Sequence, residues 1–298
     1  MKENVMEIEL GLDLGIGNNF VLIIAACDIV IKNNMQLLEP IFPNKQGSSI
    51  LFSNIWDIDY FNNIMKEFNN EKNIMLPTDV SRSEYNIIEY KTFNNLWNYS
   101  YNPFRIEQNS IEQHKIAKDN MILIVLKALK LNRYNYKIVN LFGKIENAIH
   151  IRTENDWLEY SEMKKNLDPE QEVYYIDLDS IINMYKNKWS TQDVFFTTGE
   201  EHLNIQNTFL KNNINSKYIY NNLSYIENAA INFELCCRAE NFIGTSRSTF
   251  SNLISLNRSL NNKNNSYIYN INNEITLRVD KGTCLDPYKA INTNVIIE

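Results

Sequence analysis

The chain lacks a basic excess. Its formal net charge is −7 over 298 residues, and gripping a phosphate backbone needs a basic face, so a nucleic-acid scaffold is excluded. It also lacks a long apolar run. The best one, Phe20 to Ile31, is broken by Asp28 and falls short of the roughly 18 residues of a membrane span. No targeting segment precedes the first strand-like run, since Met1-Lys2-Glu3-Asn4 leads straight into Val5–Leu10; a cytoplasmic protein is the expectation. The four cysteines, Cys27, Cys236, Cys237 and Cys284, show no metal-ligand spacing and read as reduced thiols. There is no G-x-S-x-G, no P-loop and no H-E-x-x-H, and His114, His150 and His202 form no triad pattern.

What is present in excess is asparagine, about one residue in six, far above ordinary usage. Scattered between periodic apolar runs, it reads as a base-composition bias. A length of 298 residues suits two packed domains, 1–145 and 146–298. Strand-like and helix-like segments alternate, most cleanly in the second half, which predicts an α/β fold with parallel sheets. Strands are expected at 6–14, 35–38, 137–141, 147–152, 172–178, 193–197, 217–220 and 241–243. Helices are expected at 20–32, 157–165, 180–188, 200–212, 224–238 and 248–257, and 121–131 reads as an apolar helix or a strand–helix junction. Residues 259–273 read as an exposed Asn-rich loop around a short strand.

Three segments carry candidate chemistry. In Ala148-Ile149-His150-Ile151-Arg152-Thr153-Glu154-Asn155-Asp156-Trp157, His150 and Arg152 lie two apart, on one face of a strand. A buried guanidinium costs several kcal/mol unless an anion or carboxylate meets it. Arg152 is thus either an anion site or a partner of Glu154 or Asp156 that holds a loop. In Asn241–Asn252 the pattern is strand, hydroxyl-rich turn, helix start. Unpaired amides at such a terminus attract anions, and Ser248 can equally be an ordinary N-cap. Gly15-Ile16-Gly17-Asn18 follows a strand and opens a helix without the third glycine of a dinucleotide fingerprint. It is either a tight turn or a place where substrate approaches backbone. Asp57-Ile58-Asp59 and Asp177-Leu178-Asp179 both read D-x-D, a pattern that can hold a diphosphate-bridging metal but is common by chance.

Taken together these segments resemble a known family. HIRTENDW (His150–Trp157) resembles the H-x-R…D-W motif of the protein O-fucosyltransferases. ENFIGTSRSTFSN (Glu240–Asn252) is similar to that family's late phosphate-binding motif. GIGNN (Gly15–Asn19) resembles its opening G-x-G-N turn, and DVFFTTGEE (Asp193–Glu201) its strand ending in a Thr-rich step. The order and approximate spacing agree.

The resemblance implies two Rossmann-like domains facing across a cleft, the GT-B architecture. It implies inverting, metal-independent transfer of fucose from GDP-fucose to a hydroxyl of a protein or glycan acceptor. No cofactor besides the donor substrate is implied. Arg152 would contact the diphosphate and His150 would lie against the nucleotide. Ser248, Thr249 and Phe250 would hold the phosphates, and Gly15 and Gly17 would line the donor side. Glu240 takes the place of an acidic residue that reads guanine, and Asn18 would face sugar and acceptor. The chain departs from the family at Ile16, where members carry a Glu base or an Arg, and at Glu240, which is a methylene longer than Asp. The base is open among Asp13, Glu154 and Asp156. A transferase using another nucleotide sugar, or a catalytically degenerate binding protein, is the alternative expectation.

Overall fold

The computed structural model describes residues 2–11, 15–43, 49–90, 96, 121–164, 173–190, 192–246, 248–271 and 273–278. The chain divides into two compact units. One is Met1–Leu141 with Leu223–Ile231 and the terminal Ile297–Glu298; the other is Phe142–Asn222 with Asn232–Ile296.

The first unit carries a four-stranded sheet of β1 (Glu3–Ile8), β2 (Gln36–Leu38), β5 (Met75–Leu76) and β6 (Tyr85–Tyr90), in the order β5-β2-β1-β6. Each neighbouring pair is parallel. A short antiparallel pair, β3 (Ile41–Phe42) and β4 (Ile50–Leu51), stands apart. After β1 comes α1 (Ile16–Lys32), buried along almost its whole length. The unit also holds α2 (Phe52–Ile55), α3 (Ile58–Met65), α4 (Met121–Ala128) and α5 (Arg133–Leu141). An aromatic cluster ties Phe20 of α1 to Trp56, which also meets Phe42 and Phe52. The apolar segment 137–141 was expected as a strand, and it is helical instead. Asn132 Oδ1 caps the helix by accepting from Asn135 N–H at 2.9 Å. Asn135 and Val139, four apart, form the buried stripe, and Leu141 is left 85% exposed.

The second unit carries a six-stranded sheet in the order β12-β11-β10-β7-β8-β9. Its strands are β7 (Asn147–His150), β8 (Val194–Thr197), β9 (Ser216–Lys217), β10 (Asn241–Gly244), β11 (Ser266–Ile271) and β12 (Glu274–Leu277). All pairings are parallel except β11 with β12. The helices are α6 (Asn155–Lys164), α7 (Leu178–Trp189), α8 (His202–Lys211) and α10 (Thr249–Leu260). They are joined by the last turns of α9 (Tyr225–Arg238). The core joins Ile149, Phe196 and Ile243 of the central strands to Ile181, Ile182 and Tyr185 of α7 and Phe209 of α8.

Two expectations are corrected here. Residues 173–177 join no strand; Asp177 is the N-cap of α7, accepting from Ser180 N–H at 2.9 Å. The short strand expected within 259–273 is β11, but it lies inside the sheet between β10 and β12 rather than in an exposed loop. No helix among the described residues is long and apolar enough to cross a membrane.

Asparagine has a structural use that composition alone did not reveal. Three helices end alike. After α1, Asn34 takes φ +51°, with Met35 N–H bonded to Val30 O and Asn34 N–H to Ile31 O. After α8, Asn213 takes φ +60°, with Ile214 N–H to Phe209 O and Asn213 N–H to Leu210 O. After α10, Asn262 takes φ +58°, with Lys263 N–H to Arg258 O and Asn262 N–H to Ser259 O. These paired bonds form the Schellman closure that usually recruits glycine. Asparagine tolerates the left-handed conformation better than other residues with a Cβ.

Candidate functional site

In the second sheet the chain runs β7, β8, β9 to one side, then returns to lay β10 on the other side of β7. That reversal is a topological switch point, the place where open α/β sheets bind ligands at the carboxyl ends of their strands. His150 ends β7 and Arg152 follows it; Thr245 to Phe250 follow β10. Parallel pairing of β7 with β10 therefore puts the two motifs on the same edge, on either side of the switch.

The turn after β10 is built by close approach. A Cβ on Gly244 would lie 2.5 Å from Ser251 Oγ and 2.7 Å from Ser251 Cβ, so only glycine lets α10 seat this tightly. Ser248 is the N-cap of α10, its hydroxyl accepting from Ser251 N–H at 3.4 Å. Ser246 is clamped by Asn270 of β11, which accepts from Ser246 N–H at 3.0 Å and donates to its Oγ at 2.8 Å.

The N–H groups of Thr249 and Phe250, in the first turn, have no acceptor among the described residues. No acidic residue sits in that turn, so the helix dipole and the open amides favour an anion. Beside them the buried Thr245 Oγ1 has no hydrogen-bond partner among the described residues.

His150 is buried. Its Nδ1 lies 2.8 Å from Ser251 Oγ, and its ring packs 4.8 Å from Phe250. Phe250 in turn meets Phe233 of α9. Burial, and secondarily the Arg152 charge, hold the imidazole well below its usual titration range, so it is neutral.

Arg152 takes the carboxylate-paired alternative. Its Nε donates to Glu154 Oε2 at 2.9 Å, its Nη2 meets Asp156 Oδ2 at 3.3 Å, and its guanidinium lies 4.5 Å over the Trp157 ring. Asp156 is 75% exposed and Arg152 is partly exposed, so this second contact is one an incoming anion can replace. Glu154 is committed on both oxygens, since Oε1 also accepts from Gly199 N–H at 2.7 Å. It ties the loop after β7 to the loop after β8. That arrangement suits a positioning role for Glu154 better than that of a base.

Glu240 is not gathered with these groups. It precedes β10 at the amino edge of the sheet, its N–H bonded to Ile145 O, with its exposed carboxylate 3.9 Å from Lys144 Nζ. The four residues of β10 separate it from the site.

In the first unit, Gly15 caps α1 without a side-chain bond, and Asn18 sits half-buried in the first turn with its N–H on Gly15 O. They follow β1, the switch-point strand of that sheet. A Cβ on Gly15 would meet nothing within 4 Å, so the chain's own packing does not demand glycine there. Gly17 is buried, and Asp13 lies outside the described residues. Both D-x-D pairs are explained by capping, because Asp57 and Asp177 each accept from the backbone N–H three residues on. No cluster among the described residues could hold a metal ion.

Sequence reasoning marks the Thr245–Ser251 turn as a segment without giving Thr245 or Ser251 a role of its own, and it misses Asn270. Gly244 at a strand end, seven residues before Ser251, was the available signal for a close strand–helix approach.

No protein-family model matches the chain, and no curated protein matches its sequence. Solved structures do match in fold. A crystal structure of POFUT1 in complex with GDP aligns with a TM-score of 0.58 at 12% identity, covering 90% of this chain and 98% of that one. The apo form of POFUT1 gives 0.57 at 11% identity, over 90% and 97%. POFUT1 in complex with GDP-fucose gives 0.56 at 11% identity, over 87% and 94%. At such identities the likeness is one of fold.

Proposed function

We propose that the protein is a glycosyltransferase that moves fucose from GDP-fucose to a hydroxyl of a protein or glycan acceptor, with inversion and without a metal. The observation that carries this reading is the switch point of the second sheet. His150, Arg152 and the open amides of Thr249 and Phe250 come to one edge there. The motif order along the chain and the POFUT1-like fold support the same conclusion. In this proposal the second unit binds the donor, Gly15 and Gly17 of the first unit line the donor side, Asn18 faces sugar and acceptor, and the two units follow the GT-B plan. The buried thiols of Cys27, Cys236 and Cys237 support a reducing, cytoplasmic setting.

The chemistry follows from the groups present. Cleaving the sugar–phosphate bond builds negative charge on departing GDP and oxocarbenium character on the sugar. A guanidinium at the leaving oxygen stabilises that charge more in the transition state than in the ground state. Its planar fork can grip two oxygens. Helix α10 adds fixed donors that need no reorganisation. Asp156, exposed and held only by Arg152 Nη2 among the described residues, is the candidate carboxylate among the described residues for assisting the acceptor hydroxyl.

The test is a thermal-shift titration with GDP, GDP-fucose, GDP-mannose, UDP and UDP-sugars on wild type and Arg152→Ala. Ligand at ~100 times Kd adds about 2.7 kcal/mol of stability. A shift with guanine compounds that is lost in Arg152→Ala is the expected result. No shift with any guanine nucleotide would end the reading. A second reading, a transferase using another nucleotide sugar, is favoured by the placement of Glu240 away from the site; a response to UDP compounds alone would select it.

A further inference from the structure

Ser251 stands at a crossing of three contacts. Its Oγ lies 3.3 Å from Thr245 N–H, which can only donate, so Oγ is the acceptor there. The same Oγ lies 2.8 Å from His150 Nδ1. Its backbone N–H is fixed by Ser248 Oγ, which anchors it in the first turn of α10. Among the described residues, Nδ1 is the one acceptor within reach of the Ser251 hydroxyl proton. A hydroxyl that accepts from an amide and donates to Nδ1 leaves the imidazole proton on Nε2. Nε2 has no hydrogen-bond partner among the described residues. The Phe250 ring beside the imidazole and the absent Cβ of Gly244 hold the arrangement in place.

We propose that Ser251 is a positioning residue for His150, fixing the neutral Nε2–H tautomer so that the imidazole offers a hydrogen-bond donor to the diphosphate of the nucleotide sugar. The inference rests on the donor-binding reading above, and it makes His150 a fixed donor alongside the Thr249 and Phe250 amides rather than a carrier of protons. Arg152 is the charged group that faces the imidazole, and its charge disfavours imidazolium.

The tautomer is read directly from the imidazole 15N shifts of ligand-free protein at pH 7. The chain has three histidines, and His150→Asn assigns the signal. The expected pattern is a pyrrole-type Nε2 and a pyridine-type Nδ1. A protonated Nδ1 or an averaged pair in wild type overturns the proposal, and should His150→Asn fail to fold, His114→Asn and His202→Asn assign the signal by elimination. Ser251→Ala is expected to collapse the two shifts toward averaged values; retention of a pure Nε2–H tautomer in this variant would show that Ser251 does not fix it. GDP is then added to wild type. A saturable change at Nε2 is expected, with a roughly tenfold weaker GDP affinity in Ser251→Ala. GDP binding that leaves Nε2 unmoved overturns the donor role. Absence of any GDP binding overturns the nucleotide-sugar reading itself, while the tautomer measured without ligand stands or falls separately.

Discussion

The two edges of the second sheet treat an arginine in opposite ways. At the amino edge Arg258 is fully buried, and every bond it makes among the described residues goes to a neutral acceptor. It donates to the carbonyls of Cys236, Cys237, Ala239, Glu240 and Asn265 and to Ser266 Oγ. Several of these carbonyls close the last turn of α9, where the negative end of the helix dipole serves as counter-charge. Lys263 adds a bond to Arg238 O at the same end. At the carboxyl edge Arg152 is partly exposed and paired with two carboxylates, and on the same edge the Thr249 and Phe250 amides have no acceptor among the described residues. A charge satisfied from all sides belongs to the fold. Donors left open at a switch point belong to a ligand.

The sharpest way to break this contrast is to remove each arginine. Arg258→Met should cost about 3–5 kcal/mol, the magnitude for breaking a buried charge network, because it strands the carbonyls that the guanidinium collects. Urea unfolding measures it, and a variant as stable as wild type would mean the amino edge is not held by Arg258. Arg152→Ala should lose about 3–4 kcal/mol of transition-state stabilisation, or 10²–10³ in kcat/KM with GDP-fucose. Its unfolding free energy should stay within about 1 kcal/mol of wild type, since Glu154 keeps its bond to Gly199. Two arginines failing in the same assay would erase the distinction.

His150 sharpens the same edge through pH. Its titration is depressed in the fold by burial and by Arg152, whereas an unperturbed imidazole titrates at 6.5. The unfolded chain therefore binds a proton first as pH falls. The stability from keeping His150 neutral is fully present above 6.5 and is lost as pH drops below it toward the folded value. The slope is about 1.4 kcal/mol per pH unit for one proton. His150→Asn should flatten the stability profile between pH 6.5 and 5.5 by about 1 kcal/mol, because the unfolded imidazole is already half protonated at 6.5. His202, also depressed by burial, contributes equally to both proteins and cancels.

Which parts of this contrast were legible in the sequence follows from the range of the interactions. The carboxyl edge could be read because its parts are short motifs: a strand ending in His150 and Arg152, and a strand turning into a capped helix. The α/β class followed from the same alternation. What could not be read depends on contacts between distant segments. Ser251 and His150 are 101 residues apart, and Asn270 reaches Ser246 across β11 and β10. The apolar run at 137–141 looked like a strand because short apolar runs do not reveal their period; the Asn132 cap decided for a helix. From sequence alone the asparagine excess reads as base-composition bias, yet asparagine closes three helices. Asn213→Ala should cost about 1 kcal/mol through the left-handed backbone it forces on a Cβ, and Asn213→Gly should cost nothing, as thermal unfolding will tell.

The smallest expected effect tests the comparison most strictly. Glu240 was assigned by resemblance to guanine reading, but it stands at the amino edge with an exposed side chain near Lys144. Its backbone carbonyl, not its carboxylate, serves Arg258. Glu240→Gln keeps that carbonyl and removes only a surface charge, and exposed ion pairs contribute about 0–1 kcal/mol. Stability should therefore change by less than about 0.5 kcal/mol, and the preference for GDP over UDP in the thermal-shift titration should not change. A loss of guanine preference in this variant would show that the amino edge reaches the nucleotide after all, and that a satisfied backbone is no guide to where the ligand lies.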